Sequence, residues 1–344
     1  MLELCRAFTV NGIAVTLITL AATHSDFYPL PEGVDRIALD VLRETHSLPA
    51  ALRATFVRVH RLREAIRRSQ PDVVLSFMDR TNVLALLATR ATGIPVVVAE
   101  RNNPWLLPIG WVWEFLRRVT YGWAATITVQ AEELRSFFPS NLRRTVVVIP
   151  NAVAPAAASG EPRTQTVLAA GRLEPQKGFD VLIRAFARTR EVAPGWTLRI
   201  VGEGSQRSAL ESLRTSLGDA ALAIELPGRT TAMSAEYARA GIFVLSSRFE
   251  GFPNVLCEAM AHGCAVIATR CRSGPAEIVR DGVDGVLVPV DDVAALIDAL
   301  VALMQDADRR EALGTCATSI PLRFPASGIT QKWIRVLDNA VRPG

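Results

Sequence analysis

The chain has 344 residues, 49% hydrophobic and 21% charged, which excludes a disordered protein and allows two domains with substantial cores. The formal net charge of +4 suits an anionic ligand or an anionic membrane face, but the basic residues are scattered and no nucleic-acid reading motif accompanies them, so no nucleic-acid partner is expected. No apolar run is long enough to span a bilayer, and the start lacks a basic stretch before an apolar block, so a cytoplasmic protein is expected.

The first half alternates helical and extended segments. A helix opens the chain from Met1 to Thr9. Strands are expected at Ala14–Leu20, Val73–Phe77, Val96–Ala99, Thr126–Val129 and Val146–Ile149, with helices at Leu48–Arg68 and Asn82–Ala91. A doubly wound domain normally begins with a strand that becomes central, so residues 1–150 read as a Rossmann-like domain lacking its first strand. Residues 151–164 are rich in Ala and Pro, without amphipathic period, and read as a linker. The pattern restarts over 165–325, with strands at Val167–Ala170, Leu198–Val201, Ile224–Leu226, Ile242–Leu245, Ala265–Ala268 and Gly285–Val288. Helices at Val293–Met304 and Ile329–Val341 follow, and the terminal stretch 326–344 is assigned to the first domain. The expected fold class is α/β, two Rossmann-like domains facing across a cleft. Ligands in such sheets sit beyond the carboxyl ends of the strands. The cysteines (Cys5, Cys257, Cys264, Cys271, Cys316) form no C-x-x-C pair and read as small buried hydrophobes. The histidines (His24, His46, His60, His262) show no metal-ligand spacing, and no metal or cofactor is expected.

The most informative stretch is Phe249-Glu250-Gly251-Phe252-Pro253-Asn254-Val255-Leu256-Cys257-Glu258. A strand feeds a Gly-Phe-Pro turn, and Pro253 reads as the first residue of a helix whose apolar face is Val255, Leu256, Ala259 and Met260. The free N–H groups and positive dipole at that helix end suit a phosphate. Glu258 lies roughly 7 Å further along the axis, a distance at which it accepts hydrogen bonds from a ribose. Glu250, on the loop, reaches a group on the other side of a diphosphate.

A second loop, Gly171-Arg172-Leu173-Glu174-Pro175-Gln176-Lys177-Gly178, puts Arg172 at a strand end and Lys177 near a helix start. The helix dipole opposes a cation there by roughly 0.3–1 kcal/mol, which suggests an anion between Arg172 and Lys177; the alternative is a pair with Glu174. A helix end supplies only about half a charge, so a diphosphate needs both basic residues as well. Gly202-Glu203-Gly204 opens like a dinucleotide fingerprint, but Arg207 stands where Gly or Ala is required; it reads as a tight strand-to-helix turn. Gly228-Arg229 ends another strand, where its backbone suits a nucleobase edge.

Together these segments resemble the nucleotide-sugar domain of retaining glycosyltransferases of family 4, which have the GT-B fold. The resemblance rests on G-R-L-x-x-x-K-G at 171–178, V-G-E-G at 201–204, the Glu-x7-Glu pair Glu250/Glu258, Ser273-Gly274-Pro275-Ala276-Glu277-Ile278 and Gly285-Val286-Leu287-Val288-Pro289. Glu100-Arg101-Asn102-Asn103-Pro104 resembles members that extend lipid-linked or exopolysaccharide oligosaccharides, sometimes with N-acetylhexosamine donors. The resemblance implies a hexosyltransferase that uses a nucleotide diphosphate sugar, a UDP-sugar first of all, and a glycan or polyprenyl-linked acceptor. It assigns the donor diphosphate to Arg172 and Lys177, with Gly171 beside them, the ribose to Glu258, and the transferred sugar to Glu250 and the backbone of Gly251, Phe252, Pro253 and Asn254, with Val255 following. Transfer with retention by front-face attack, without a firm enzymic nucleophile, is implied. Many relatives carry a His near position 100; here that role is unassigned, and Glu100, Arg101 and Asn102 are the acceptor or sugar candidates. Relatives also begin with a strand and a Gly-Gly loop before the first helix, and their lack here leaves open a nucleotide-sugar binding protein without turnover. Trp105, Trp111 and Trp113, with Arg117 and Arg118, suit either a membrane interface on the cytoplasmic side or ordinary packing.

Overall fold

A computed structural model describes residues 1–23, 29–42, 47–157 and 162–342. His24 and His46, and residues 158–161 of the expected linker, lie outside the described residues. The chain divides into two compact units, Met1–Ile149 with Ser327–Gly344, and Pro150–Ala326.

The first unit runs α1 (Leu2–Val10), β1 (Val15–Thr19), β2 (Val34–Ala38), α2 (Leu48–Ser69), β3 (Val74–Phe77), α3 (Asp79–Thr89), β4 (Val96–Ala99), α4 (Trp111–Thr120), β5 (Thr126–Val129) and β6 (Val146–Val148). All pairings are parallel, in a four-stranded sheet of order β3-β4-β5-β6 and a separate pair β1-β2. Sequence pattern alone does not show β2, because Val-Asp-Arg-Ile-Ala carries two charges in five residues. Along β4, Val96 and Val98 face one core while Val97 and Ala99 face another, the period-two alternation of a strand covered on both sides.

The second unit follows the same logic. Its elements are β7 (Thr164–Ala170), α5 (Phe179–Thr189), β8 (Thr197–Val201), α6 (Arg207–Thr215), β9 (Ile224–Gly228), α7 (Met233–Arg239), β10 (Ala240–Leu245), α8 (Asn254–Ala261), β11 (Ala265–Thr269), α9 (Pro275–Ile278), β12 (Val286–Val288), α10 (Val293–Gln305), α11 (Ala307–Ala317) and α12 (Ile320–Arg323). The last helix, α13 (Ala326–Val341), packs Ile329, Trp333, Val336 and Leu337 onto the first unit's sheet. The second unit's six parallel strands run β12-β11-β10-β7-β8-β9. Val167, Ile242 and Ile267 face a core with α5 and α10; Leu168, Phe243 and Val266 face the opposite core with α8. Leu182 and Phe186 of α5 are fully buried, each contributing about 1.5–3 kcal/mol.

Strand order reverses between β10 and β7. From β7 the chain moves to β8 on one side; from β10 it moves to β11 on the other. The chain therefore leaves these two neighbours toward opposite sides of the sheet, and their carboxyl ends form the topological switch point of a doubly wound sheet. The described start of the expected linker is anchored rather than free: Val153 is buried and its N–H donates to the Phe324 carbonyl at 2.9 Å. Cys316 also departs from the sequence reading, being exposed on α11, whereas the other four cysteines are buried thiols.

Candidate functional site

The loops after β7 and β10 are stitched together. The Arg248 N–H donates to the Gln176 carbonyl at 2.7 Å, Gln176 Nε2 to the Phe249 carbonyl at 2.9 Å, and Ser246 Oγ to the Lys177 carbonyl at 2.8 Å. Gly178 permits this approach: it has φ +60°, and a Cβ there would stand 2.2 Å from the Ser246 carbonyl oxygen. Gly202 does the same on the other flank, where a Cβ would meet the Gly171 carbonyl oxygen. The Gly202-Glu203-Gly204 segment is thus a packing turn. Arg207, at the start of α6, is clamped by Glu203 at 2.6 Å and Glu211 at 2.9 Å.

Lys177 Nζ lies 2.6 Å from Glu250 Oε1, both side chains being largely buried. The counter-charge of Lys177 in this structure is therefore the Glu250 carboxylate. Glu174, the alternative partner, accepts instead from Ser205 N and Oγ at 3.1 and 2.7 Å, which holds its carboxyl below the usual range. Ser247 Oγ also donates to Glu250 Oε1, at 2.6 Å, and Oε2 has no partner among the described residues. The loop after β11 supports this arrangement. Ser273 Oγ donates to the Glu250 carbonyl at 2.6 Å, and a Cβ on Gly274 would approach the Gly251 carbonyl oxygen to 2.9 Å. Arg172 is exposed and makes no ion pair among the described residues.

Pro253 is the N-cap of α8, one position earlier than expected, because α8 starts at Asn254. No side chain caps this helix. Asn254 turns its amide away to accept from Asn151 Nδ2 at 2.7 Å. Glu258, exposed on α8, accepts from the buried Tyr237 hydroxyl at 3.0 Å through Oε2. Gly228 is buried at the end of β9, with φ +89°, and Arg229 beside it is exposed. Arg172, Lys177, Glu250, Gly251–Asn254 and Glu258 thus all stand at the carboxyl end of one sheet or on the helix leaving it. Gln176, Tyr237, Ser246, Ser247 and Ser273 complete the cluster. Gln176 and Ser273 lie inside the loop motifs already singled out, and Ser246 and Ser247 are visible as polar residues at a strand end, whereas Tyr237 carries no local signal.

Glu100, in the first unit, is differently placed. Its side chain is 1% exposed, accepts a short hydrogen bond from Tyr121 and lies 3.6 Å from the Arg117 guanidinium. Burial pushes its carboxyl up to about 7, against the pull of Arg117 and Tyr121. Glu100 is therefore sealed in the unit's interior and is not presented to a ligand here. Arg101 lies over Phe77 and Trp333, at 5.0 and 5.4 Å, and burial lowers it to about 10. It joins β3 to α13. Asn102 donates to Asp79 at 3.4 Å.

Of the aromatic and basic residues of 104–118, Trp105 packs on Phe137, Trp113 lies under Arg80, and Arg117 is buried. Trp111, Phe115 and Val119 are 82%, 63% and 46% exposed, an i, i+4, i+8 stripe on α4 with Arg118 also exposed. No helix among the described residues is long and apolar enough to cross a membrane.

Comparison with known proteins adds to this geometry. The chain is 27% identical over 94% of its length to 89% of the GalNAc-alpha-(1->4)-GalNAc-alpha-(1->3)-diNAcBac-PP-undecaprenol alpha-1,4-N-acetyl-D-galactosaminyltransferase of Campylobacter jejuni. In fold it is similar to sucrose-phosphate synthase from Thermosynechococcus elongatus, with TM-score 0.84, 17% identity and coverage of 99% of this chain and 92% of that one. It is likewise similar to Anabaena HepE in complex with UDP and glucose, with TM-score 0.77, 18% identity and coverage of 98% and 95%. Some solved relatives in fold are longer, and the chain spans 59% of S. aureus TarM. The two Rossmann-like units are those of GT-B glycosyltransferases. Residues 1–152 match the glycosyl transferase 4-like domain and residues 164–306 match glycosyl transferases group 1, and the chain belongs to that glycosyltransferase family.

Proposed function

We propose that this glycosyltransferase moves a hexose or N-acetylhexosamine from a UDP-sugar to a glycan or polyprenyl-linked acceptor, with retention of configuration. The observation that carries the donor side is the Lys177–Glu250 pair at the switch point, 2.6 Å apart beside the uncapped end of α8. An ammonium has three donors, so Lys177 can keep Glu250 and still meet a phosphate oxygen. Arg172, exposed and without an ion pair among the described residues, offers a bidentate fork to the same diphosphate. Gly171 lets the Lys177 stem lie close, since a Cβ would stand 3.1 Å from it. The free Oε2 of Glu250 accepts a hydroxyl of the transferred sugar, and the backbone of Gly251 to Asn254 lines its path. Glu258 takes the ribose, and Gly228 and Arg229 take the base edge.

In this reading the charge that develops on the departing UDP is met by guanidinium, ammonium and main-chain N–H groups, where stabilisation acts on the transition state. No metal is required. The acceptor belongs to the first unit, with Arg101 and Asn102 its nearest candidates. The similarity to a transferase named for an undecaprenol-linked acceptor supports a lipid-linked acceptor. The exposed Trp111, Phe115 and Val119 stripe supports peripheral contact with the cytoplasmic membrane face.

Purified protein incubated with a panel of UDP- and GDP-sugars, with acceptor, tests this. UDP release that persists in EDTA is expected. Binding of UDP without release from any donor would favour a nucleotide-sugar binding protein, and absence of UDP binding would overturn the reading.

A further inference from the structure

We infer that Tyr237 is a positioning residue for nucleotide recognition: its phenol orients the Glu258 carboxylate toward the ribose hydroxyls. The inference rests on the ribose reading of Glu258. Glu258 is an exposed side chain on α8 and makes no ion pair among the described residues. Free in solvent, such a side chain would sample several rotamers, and holding one of them loses conformational entropy on each binding event. Here one oxygen, Oε2, already accepts from the Tyr237 hydroxyl at 3.0 Å, which leaves Oε1 to accept from a ligand.

The phenol is itself fixed. Its ring is 1% exposed, meets Phe243 edge-on at 5.8 Å and lies 5.3 Å from the His262 ring. Its backbone carbonyl accepts from Arg163 Nη1 at 3.2 Å and from the Cys264 thiol at 3.0 Å. His262 Nδ1 lies 2.8 Å from the Glu258 carbonyl oxygen, so the same cluster also holds the helix turn that bears the carboxylate. Burial, and then the neighbouring Glu258 charge, hold the phenol far above its ordinary range, so it stays a donor at all working pH values. A neutral donor is suited to this task. A cation would orient the carboxylate but also compete for its charge, whereas a hydroxyl orients it and leaves its full acceptor strength for the ribose.

Calorimetric titration of the full chain with UDP and with 2′,3′-dideoxy-UDP tests the inference. The wild type is expected to bind UDP more tightly than the dideoxy analogue. Tyr237→Phe, which keeps the ring and its packing, should weaken UDP about five- to tenfold and leave dideoxy-UDP unchanged. In Glu258→Ala, adding Tyr237→Phe should cause no further loss. Equal weakening of both ligands would show a structural role only and overturn the inference, as would unchanged UDP affinity. If Glu258→Ala itself binds UDP like the wild type, the ribose reading fails and the inference with it.

Discussion

Two glutamates occupy corresponding places in the two units, each just beyond a central strand of a parallel sheet. Glu100 follows β4 and Glu250 follows the turn after β10. Their surroundings differ. Glu100 is closed in by Arg117 and Tyr121, with 1% of its side chain exposed and its charge disfavoured by burial. Glu250 shares one oxygen between Lys177 and Ser247 and keeps the other without a partner among the described residues. The first carboxylate spends its bonds inside the protein, where it fixes the loop that carries Arg101 and Asn102. The second holds a cation in place and retains an acceptor. Position at a strand end is thus not enough to identify a ligand contact; what separates the two is access, Glu100 being 1% exposed and Glu250 8%.

Removing the cations of the second site should have the largest effect. Arg172→Ala with Lys177→Ala deletes two charge-assisted interactions of about 1.5–3 kcal/mol each with the donor diphosphate. Initial rates of UDP release should show kcat/KM falling by about 10²–10⁴-fold, and a wild-type rate would end the diphosphate assignment. The two carboxylates should then separate cleanly. Glu250→Ala should lower kcat/KM about 10²-fold and also lower the melting temperature, because it leaves the largely buried Lys177 without its partner. Glu100→Ala should instead lower the melting temperature with little loss of kcat/KM, because it removes the acceptor of the buried Tyr121 hydroxyl at a cost of about 1–3 kcal/mol, while Arg117 keeps Glu114 at 2.5 Å. Similar losses of activity and stability in both variants would erase the comparison.

Local patterns disclosed most of the fold. Eleven of the twelve strands among the described residues show as apolar or alternating runs, and the loop motifs that bear Arg172, Lys177, Glu250 and Glu258 are contiguous in sequence. What sequence could not supply is the pairing between loops. Lys177 and Glu250 are 73 positions apart, and only the β10-β7 adjacency brings them together. The same holds for Tyr237 and Glu258, whose hydrogen bond joins α7 to α8. Lys177 read by itself has Glu174 as a near neighbour, yet Glu174 is drawn away by Ser205 on the loop after β8. Glu100 fails for a related reason. Its motif is visible, but its seclusion depends on Tyr121 and Arg117, which fold over it from α4 and the turn that follows.

The closed state of Glu100 also sets a pH dependence. Its folded pKa of about 7 stands above the ordinary 4.5, so the folded chain binds this proton more tightly than the unfolded chain does. The associated stabilisation is fully present below about 4.5 and is lost as pH rises through about 7, by up to ~3 kcal/mol. Thermal unfolding of the wild type from pH 5 to pH 8 should show a falling melting temperature, and Glu100→Gln should flatten that slope. A slope unchanged in the variant would assign it to another group and reopen Glu100 as an accessible carboxylate.

The smallest expected effect concerns the stripe on α4. Trp113 and Arg117, on the other side of this helix, pack into the first unit, so changes confined to Trp111 and Phe115 should leave the Glu100 network and the donor site intact. Transferring one large aromatic from water to an interface gains of order 1 kcal/mol or more. Trp111→Ser with Phe115→Ser should therefore weaken binding to vesicles containing anionic lipid about tenfold in a flotation assay. Rates on a short water-soluble acceptor should be unchanged, and those on an acceptor embedded in vesicles should fall. Unaltered flotation would place this stripe in contact with something other than a bilayer, while a loss on both acceptors would mean that α4 is coupled to the chemistry rather than to the surface.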